Sequence, residues 1–155
     1  EALGLLPDNV KALFVGIPEG SLDEIANQFG VKGRVIYAGL VPFDQILAYY
    51  PLFSVNVLPS ISDGFGLTLI ESMAMGTPII GTNYGGIKDV IQDGVNGLLF
   101  DDGDIKSLVE ALKNLLYDTE KRSQFISAGL KRAFDDFSLD NTISGYESLF
   151  NSLIQ

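Results

Sequence analysis

The 155-residue sequence contains no cysteine and no histidine. The absence of cysteine excludes disulfides, thiolate nucleophiles and thiolate zinc sites, and it favours a reducing compartment such as the cytoplasm. The absence of histidine excludes a Ser-His-Asp triad and any imidazole base or metal ligand supplied by this chain. Any chemistry here must therefore use carboxylates, hydroxyls, backbone dipoles or a small number of cations.

Basic residues are also scarce. Ten lysines and arginines stand against twenty acidic residues, which gives a formal net charge of −10. This charge repels the phosphate backbone of nucleic acids, so the sequence predicts no nucleic-acid partner. No apolar run approaches the roughly 18 residues of a membrane-spanning helix, and residues 1–6 lack the basic start of a signal peptide. We expect a cytoplasmic domain without a membrane span, attached peripherally to a membrane only through other parts of a complete protein.

The apolar residues follow two alternating patterns. Hydrophobic residues make up 46% of the chain, enough for the core of a single domain over residues 1–155. Short apolar runs ended by glycine or proline predict strands near 11–16, 34–38, 53–58, 77–81 and 97–100. Helical spacing predicts helices near 21–29, 43–50, 67–75, 86–92, 104–116, 120–134 and 139–153. This alternation is typical of an α/β protein with a doubly wound parallel sheet.

Side chains predict two of the helix starts. Ser21 and Glu24 have the spacing of a capping box, and Asp104 precedes an apolar stripe as an N-cap. The helix at 43–50 is predicted from the spacing of Ile46, Leu47 and Tyr50 between Pro42 and Pro51.

The loop at 60–66 is the most unusual of the loops that follow the predicted strands. Ligands of open α/β sheets bind in such loops, beyond the carboxyl ends of the strands. Gly64 and Gly66 stand at a predicted helix N-terminus, where free amides and the helix dipole favour a phosphate. Asp63 precedes this helix, and Glu71 shares a face of it with Thr68.

Carboxylates on both sides of an anion-binding turn suit a nucleotide-sugar. Ionised carboxylates only accept hydrogen bonds, and the hydroxyl groups that flank a diphosphate donate them. An ordinary structural role explains the spacing equally well: Gly64 and Gly66 shape a turn, Asp63 caps the helix and Glu71 is solvated. The absence of a third glycine after Gly66 excludes a dinucleotide-binding fingerprint, and the absence of Gly-Lys-Ser/Thr excludes a P-loop.

Several ordered blocks resemble the group-1 family of retaining glycosyltransferases, which have the GT-B fold. The central block is Leu58-Pro-Ser-Ile-Ser-Asp-Gly-Phe-Gly-Leu-Thr-Leu-Ile-Glu-Ser-Met-Ala-Met-Gly-Thr-Pro-Ile-Ile-Gly-Thr-Asn-Tyr-Gly-Gly86. Asp93-Gly-Val-Asn-Gly-Leu-Leu-Phe100 with Asp102-Gly-Asp104 is similar to the next block, and Phe14-Val-Gly-Ile-Pro-Glu19 is similar to an earlier glycine loop. The similarity runs from about residue 11 to 137.

The resemblance implies the C-terminal, Rossmann-like half of a GT-B fold, which binds a nucleotide-diphosphate sugar for transfer with retention of configuration. In that family, two glutamates separated by seven residues contact the donor sugar and the ribose. Asp63 and Glu71 have this spacing and are the implied catalytic residues, although Asp63 is one methylene shorter than glutamate.

The resemblance also assigns residues to donor binding. It implies Gly16 in the first loop, Val41 and Phe43 near the base, and a group around the start of the helix that comprises Gly64, Phe65, Gly66, Leu67, Thr68 and Glu71. No metal or other cofactor is implied. Packing alone is an equal alternative for Gly16, Val41 and Phe43. Tyr84, Gly85 and Gly86 are expected to serve a turn and the core.

Parts of the family's donor domain have no counterpart in these residues. That domain normally begins with a strand and helix that carry an arginine and a lysine for the diphosphate, after an N-terminal acceptor domain. We therefore expect a sheet that lacks its first strand, between the strands of Leu13 and Phe53. Residues 1–10, another chain through self-association, or upstream residues would fill the gap. The isolated chain is expected to bind weakly and to be inactive.

Two other functions remain open. The aspartate at position 63 and the missing cations favour a non-catalytic nucleotide-sugar-binding or assembly module. A sugar-nucleotide epimerase of the same architecture matches the ordered blocks less well.

Overall fold

The computed structural model describes residues 1–62 and 64–154, in which strands alternate with helices. The strands are β1 (Ala12–Val15), β2 (Val35–Gly39), β3 (Asn56–Leu58), β4 (Ile79–Thr82) and β5 (Leu98–Phe100). The α-helices are α1 (Asp23–Gln28), α2 (Leu67–Ala74), α3 (Ile87–Val90), α4 (Ile105–Tyr117), α5 (Thr119–Asp135) and α6 (Leu139–Leu153). Short 3-10 helices cover Ala2–Leu5, Lys32–Arg34, Ile46–Ala48 and Tyr50–Leu52. Every described strand pair is parallel, which confirms the predicted α/β class.

The parallel sheet is divided into two parts. β1 pairs with β2, while β4 lies between β3 and β5. Between the two parts lies a groove of about 1350 Å³, whose walls include Leu13 of β1 and Val57 of β3. We call this feature the groove. It falls where the sequence predicts that a strand is missing.

Residues 1–10 do not supply that strand. Their 3-10 helix, Ala2–Leu5, packs against α4. The Arg34 guanidinium fixes the rest of the segment by donating to the carbonyls of Leu6 at 3.2 Å, Pro7 at 2.9 Å and Val10 at 2.9 Å. The segment therefore lines one end of the groove without pairing with β1 or β3, and this proposed way of completing the sheet is wrong.

The main core lies on both faces of the β3–β5 sheet. Ile79 and Ile80 of β4 are both fully buried, and successive strand residues point to opposite faces. Ile79 belongs to a cluster with Leu69 and Met73 of α2, whereas Ile80 belongs to a second cluster with Leu115 of α4. Helices therefore cover this sheet on both sides, as a doubly wound arrangement requires.

The segment at 43–50 does not form the predicted α-helix. Ile46–Ala48 and Tyr50–Leu52 are separate 3-10 turns. The amides of Ala48 and Tyr49 donate to the carbonyls three residues before them, Gln45 at 3.1 Å and Ile46 at 3.0 Å. Pro51 has no amide hydrogen with which to continue a helix.

The predicted capping box at the start of α1 is also wrong. The Ser21 hydroxyl donates to the carbonyl of Pro18 at 2.7 Å, and the N-cap position is taken by Leu22. The Ser21 side chain therefore hydrogen-bonds to a nearby backbone carbonyl instead of a helix amide. Asp104 does cap α4, because its carboxylate accepts from the amide of Ser107 at 3.0 Å.

Candidate functional site

The turn before α2 depends on the glycine at its N-cap. Gly66 is buried and has a φ of 79°, a left-handed conformation that favours glycine. The amide of Leu69 donates to the carbonyl of Gly66 at 2.9 Å. The amides of Leu67 and Thr68 come before this first bond, at the end of the helix where an anion is stabilised.

The loop before this turn is supported by the end of β4. The buried hydroxyl of Thr82 donates to the carbonyl of Ser60. A Cβ atom on Gly86 would lie 2.2 Å from the carbonyl oxygen of Gly64 and 2.8 Å from the Cα of Phe65. The glycine at position 86 therefore allows two loops to touch through their backbones. The only sequence signal for this contact was the adjacent pair Gly85 and Gly86, from which we predicted a turn and core packing.

The ring of Phe65 packs edge to face against Phe137, with 5.7 Å between the ring centroids. The guanidinium of Arg132 lies 5.1 Å from the centroid of Phe137. Arg132 also donates to the carbonyls of Asp89 at 2.6 Å and Val90 at 2.9 Å, at the end of α3. Sequence reasoning missed Arg132 and Phe137, which connect the loop to α3 and α5.

Glu71 accepts a short hydrogen bond from a buried phenol. The hydroxyl of Tyr50 donates to Oε2 of Glu71 at 2.5 Å, and Glu71 is half-buried on α2. Burial, together with this bond to the carboxylate, raises the pKa of Tyr50 above its ordinary value. Tyr50 therefore remains a hydrogen-bond donor at neutral pH. The sequence assigned Tyr50 only to a helix that does not form.

The structure brings together four of the sequence-predicted donor residues. Thr68 and Glu71 of α2 line the groove, and so do Val41 and Phe43, which follow β2. The side chain of Phe43 is 87% exposed, so packing in the core does not account for it. These residues belong to the segments that follow strands in both parts of the sheet.

The other predicted residues lie beside the groove. Gly16, with a φ of 90°, follows the groove residue Val15, and its amide donates to the carbonyl of Gly39 at 2.8 Å. Four more residues lie outside the lining of the groove, on the turn and the first position of α2: Gly64, Phe65, Gly66 and Leu67. Asp63 lies outside the described residues, so its role remains a prediction.

Two features of the described residues concern metal binding and membranes. Residues 1–62 and 64–154 contain no cluster of three or more histidine, cysteine, aspartate or glutamate residues that could hold a metal ion. The expectation of a metal-free site nevertheless remains a prediction. Over the same residues, no helix has the length and apolar character needed to cross a membrane.

The fold defines the class of protein: it is the Rossmann-like fold of the C-terminal half of GT-B glycosyltransferases. Sucrose-phosphate synthase from Thermosynechococcus elongatus aligns with a TM-score of 0.87 and 25% identity, covering 99% of this chain and 40% of that one. HepE from Anabaena, solved in complex with UDP, aligns with a TM-score of 0.83 and 24% identity, covering 97% and 43%.

The sequence then identifies the family. The family model for Glycosyl transferases group 1 matches residues 1–132, and the chain belongs to this family. The D-inositol 3-phosphate glycosyltransferase of Acidothermus cellulolyticus is 32% identical over 151 residues, which are 93% of this chain and 33% of that protein. The chain thus spans about a third of the length of the curated relatives that it matches.

Proposed function

We propose that this domain binds the nucleotide-diphosphate sugar of a retaining hexosyltransferase. In the complete protein, the sugar passes to an acceptor held by an N-terminal domain. The observation that carries the proposal is the convergence on one groove of Glu71 and Thr68 from α2 with Val41 and Phe43 from the loop after β2. This is the edge of the sheet where α/β proteins bind nucleotides. The absence of cysteine supports a cytoplasmic location.

Each part of such a ligand has a chemically matched partner. The amides at the start of α2, including those of Leu67 and Thr68, suit the diphosphate. The Glu71 carboxylate accepts hydrogen bonds from the ribose hydroxyls, and the exposed ring of Phe43 offers an apolar surface to the base. The role of Asp63 toward the donor sugar rests on sequence resemblance alone.

The protein's contribution to transfer is electrostatic. The domain positions the donor and stabilises the negative charge that develops on the departing diphosphate. The chain has a net charge of −10. A helix dipole offsets only about 0.3–1 kcal/mol of the resulting repulsion per contact. We therefore expect weak binding by the isolated chain and tighter binding in a complete protein that adds cations at this site.

A two-dimensional NMR titration tests the proposal. UDP, GDP and ADP, each alone and with glucose attached, are added to the chain and to the complete protein while amides 64–71 are followed. UDP is a reasonable first choice because HepE was solved with UDP and with UDP-glucose. We expect one nucleotide to shift this turn while the amides of α6 stay in place. If none of the six compounds shifts the turn in the folded complete protein, the proposal is wrong.

A further inference from the structure

Tyr50 is a buried tyrosine whose hydroxyl contacts a residue of the proposed site. Its side chain is 4% exposed, and its hydroxyl donates to Glu71 at 2.5 Å. Both residues line the groove, although Tyr50 belongs to the connection between β2 and β3 and Glu71 belongs to α2. The bond therefore joins Glu71, whose carboxylate is proposed to bind the ribose, to a different segment of the fold.

The backbone and ring of Tyr50 are themselves fixed. The hydroxyl of Thr77 donates to the carbonyl of Tyr50 at 2.7 Å. The ring of Phe53 meets the Tyr50 ring edge to face, with 6.3 Å between centroids and 83° between planes. Pro51 also restricts the backbone of the 3-10 turn. These contacts keep the hydroxyl oxygen of Tyr50 within hydrogen-bond distance of Glu71.

The hydrogen-bonding capacities of the two groups are unequal. A neutral phenol has one proton to donate, whereas a carboxylate accepts at two oxygens with about four sites. Tyr50 donates to Oε2, so further acceptor sites of Glu71 remain for a ligand. A bond to a charged acceptor is also stronger than one between neutral groups, which makes it effective in fixing a rotamer.

We propose that Tyr50 is a positioning residue that holds the Glu71 carboxylate ready for the two ribose hydroxyls of the donor nucleotide. This inference rests on the proposed function. Without the phenol, the ligand itself must order the glutamate side chain, and the immobilisation of a flexible side chain lowers affinity. A purely structural tyrosine would affect every ligand of the groove alike.

The test measures how the affinity of the complete protein for ribose hydroxyls depends on Tyr50. The probes are whichever of UDP, GDP and ADP the NMR titration selects and the 2′,3′-dideoxy analogue of that nucleotide. Tyr50→Phe keeps the ring and its volume, so we expect the variant to fold. Calorimetric titration should show that it weakens binding of the ribonucleotide about five- to tenfold and leaves binding of the dideoxy analogue unchanged.

Tyr146→Phe is the control. Tyr146 lies on α6, outside the lining of the groove, and is 59% exposed. We expect it to leave both affinities unchanged.

Each other outcome of the titration is decisive. If Tyr50→Phe weakens both nucleotides equally, Tyr50 has only a structural role. If it weakens neither, the positioning role is wrong while the nucleotide site stands. If the wild-type protein binds none of the six compounds of the NMR titration, the proposed function fails and this inference fails with it.

Discussion

The backbones of Gly86 and Gly64 approach so closely that a Cβ atom on Gly86 would lie 2.2 Å from the Gly64 carbonyl oxygen. Gly86→Ala must therefore displace the loop before α2. We expect a loss of about 1–3 kcal/mol in the free energy of unfolding, as for other overpacked sites. The amide signals of Gly64 and Phe65 should move in the NMR spectrum, and nucleotide affinity should fall.

Gly33→Ala is the control for that substitution. A Cβ atom on Gly33 would have no neighbour within 4 Å. The Gly33→Ala variant should match the wild type in its free energy of unfolding and in its amide signals around Gly64. Unmoved signals of Gly64 and Phe65 in Gly86→Ala would contradict the contact.

Glu71 should be needed for transfer rather than for folding. Glu71→Gln removes the charge but retains the shape and an oxygen that can accept from Tyr50. In the complete protein, we expect sugar transfer to fall by about 100-fold or more, as when one preorganised polar group of an active site is lost. Glu71→Ala should have a larger effect on transfer while the far-ultraviolet circular dichroism stays unchanged.

Glu110→Gln serves as the comparison because Glu110 is an exposed glutamate on α4. It should transfer sugar at the wild-type rate. If the Glu71→Gln variant transfers sugar at the wild-type rate, Glu71 has no role in the active site.

Arg132 should matter for stability far more than its neighbour Lys131. Arg132 donates to two backbone carbonyls at the end of α3, and its side chain is 16% exposed. Its removal leaves the Asp89 carbonyl without the Arg132 donor, whereas the Val90 carbonyl still accepts from the side-chain amide of Asn96. With the loss of packing by the long side chain, Arg132→Ala should cost about 1–3 kcal/mol in urea unfolding. Lys131 is 78% exposed and pairs with Asp135 at the surface, so Lys131→Ala should cost less than about 1 kcal/mol. Equal losses in the two variants would contradict the assignment.

The order of strands and helices could be predicted because each element has its own local signal. In α4, the Asp104 cap and the apolar stripe that follows it fix both the start and the buried face. Ile79 and Ile80 similarly mark β4 as buried on both faces. The predicted helix at 43–50 failed because apolar spacing over so few residues does not distinguish an α-helix from two successive 3-10 turns.

The site could be predicted only in part. The spacing within α2 placed Thr68 and Glu71 on one face, and both line the groove. Contacts between segments that are distant in the sequence produce no hydrophobic periodicity from which they could be predicted. The bond from Tyr50 to Glu71 spans 21 residues, and the bond from Arg132 to Val90 spans 42. Such partners became visible only when the chain was folded.

The divided sheet also has a consequence for local unfolding. Both hydrophobic clusters draw their members from Val55 onward, so β1 and β2 lie outside the main core. Segments with few buried apolar contacts open at lower free energy than the core does. In native-state hydrogen exchange, the amides of β2 should therefore exchange before those of β4, and equal protection would contradict a separate opening unit.

A nucleotide that contacts both Phe43, after β2, and Glu71, on α2, joins the two units. A ligand that binds only the folded state stabilises that state by RT ln(1 + [L]/Kd), where [L] is the concentration of free ligand. Occupancy of the groove should thus slow exchange even in Ala12–Val15, whose protection then reports how firmly the domain holds its donor.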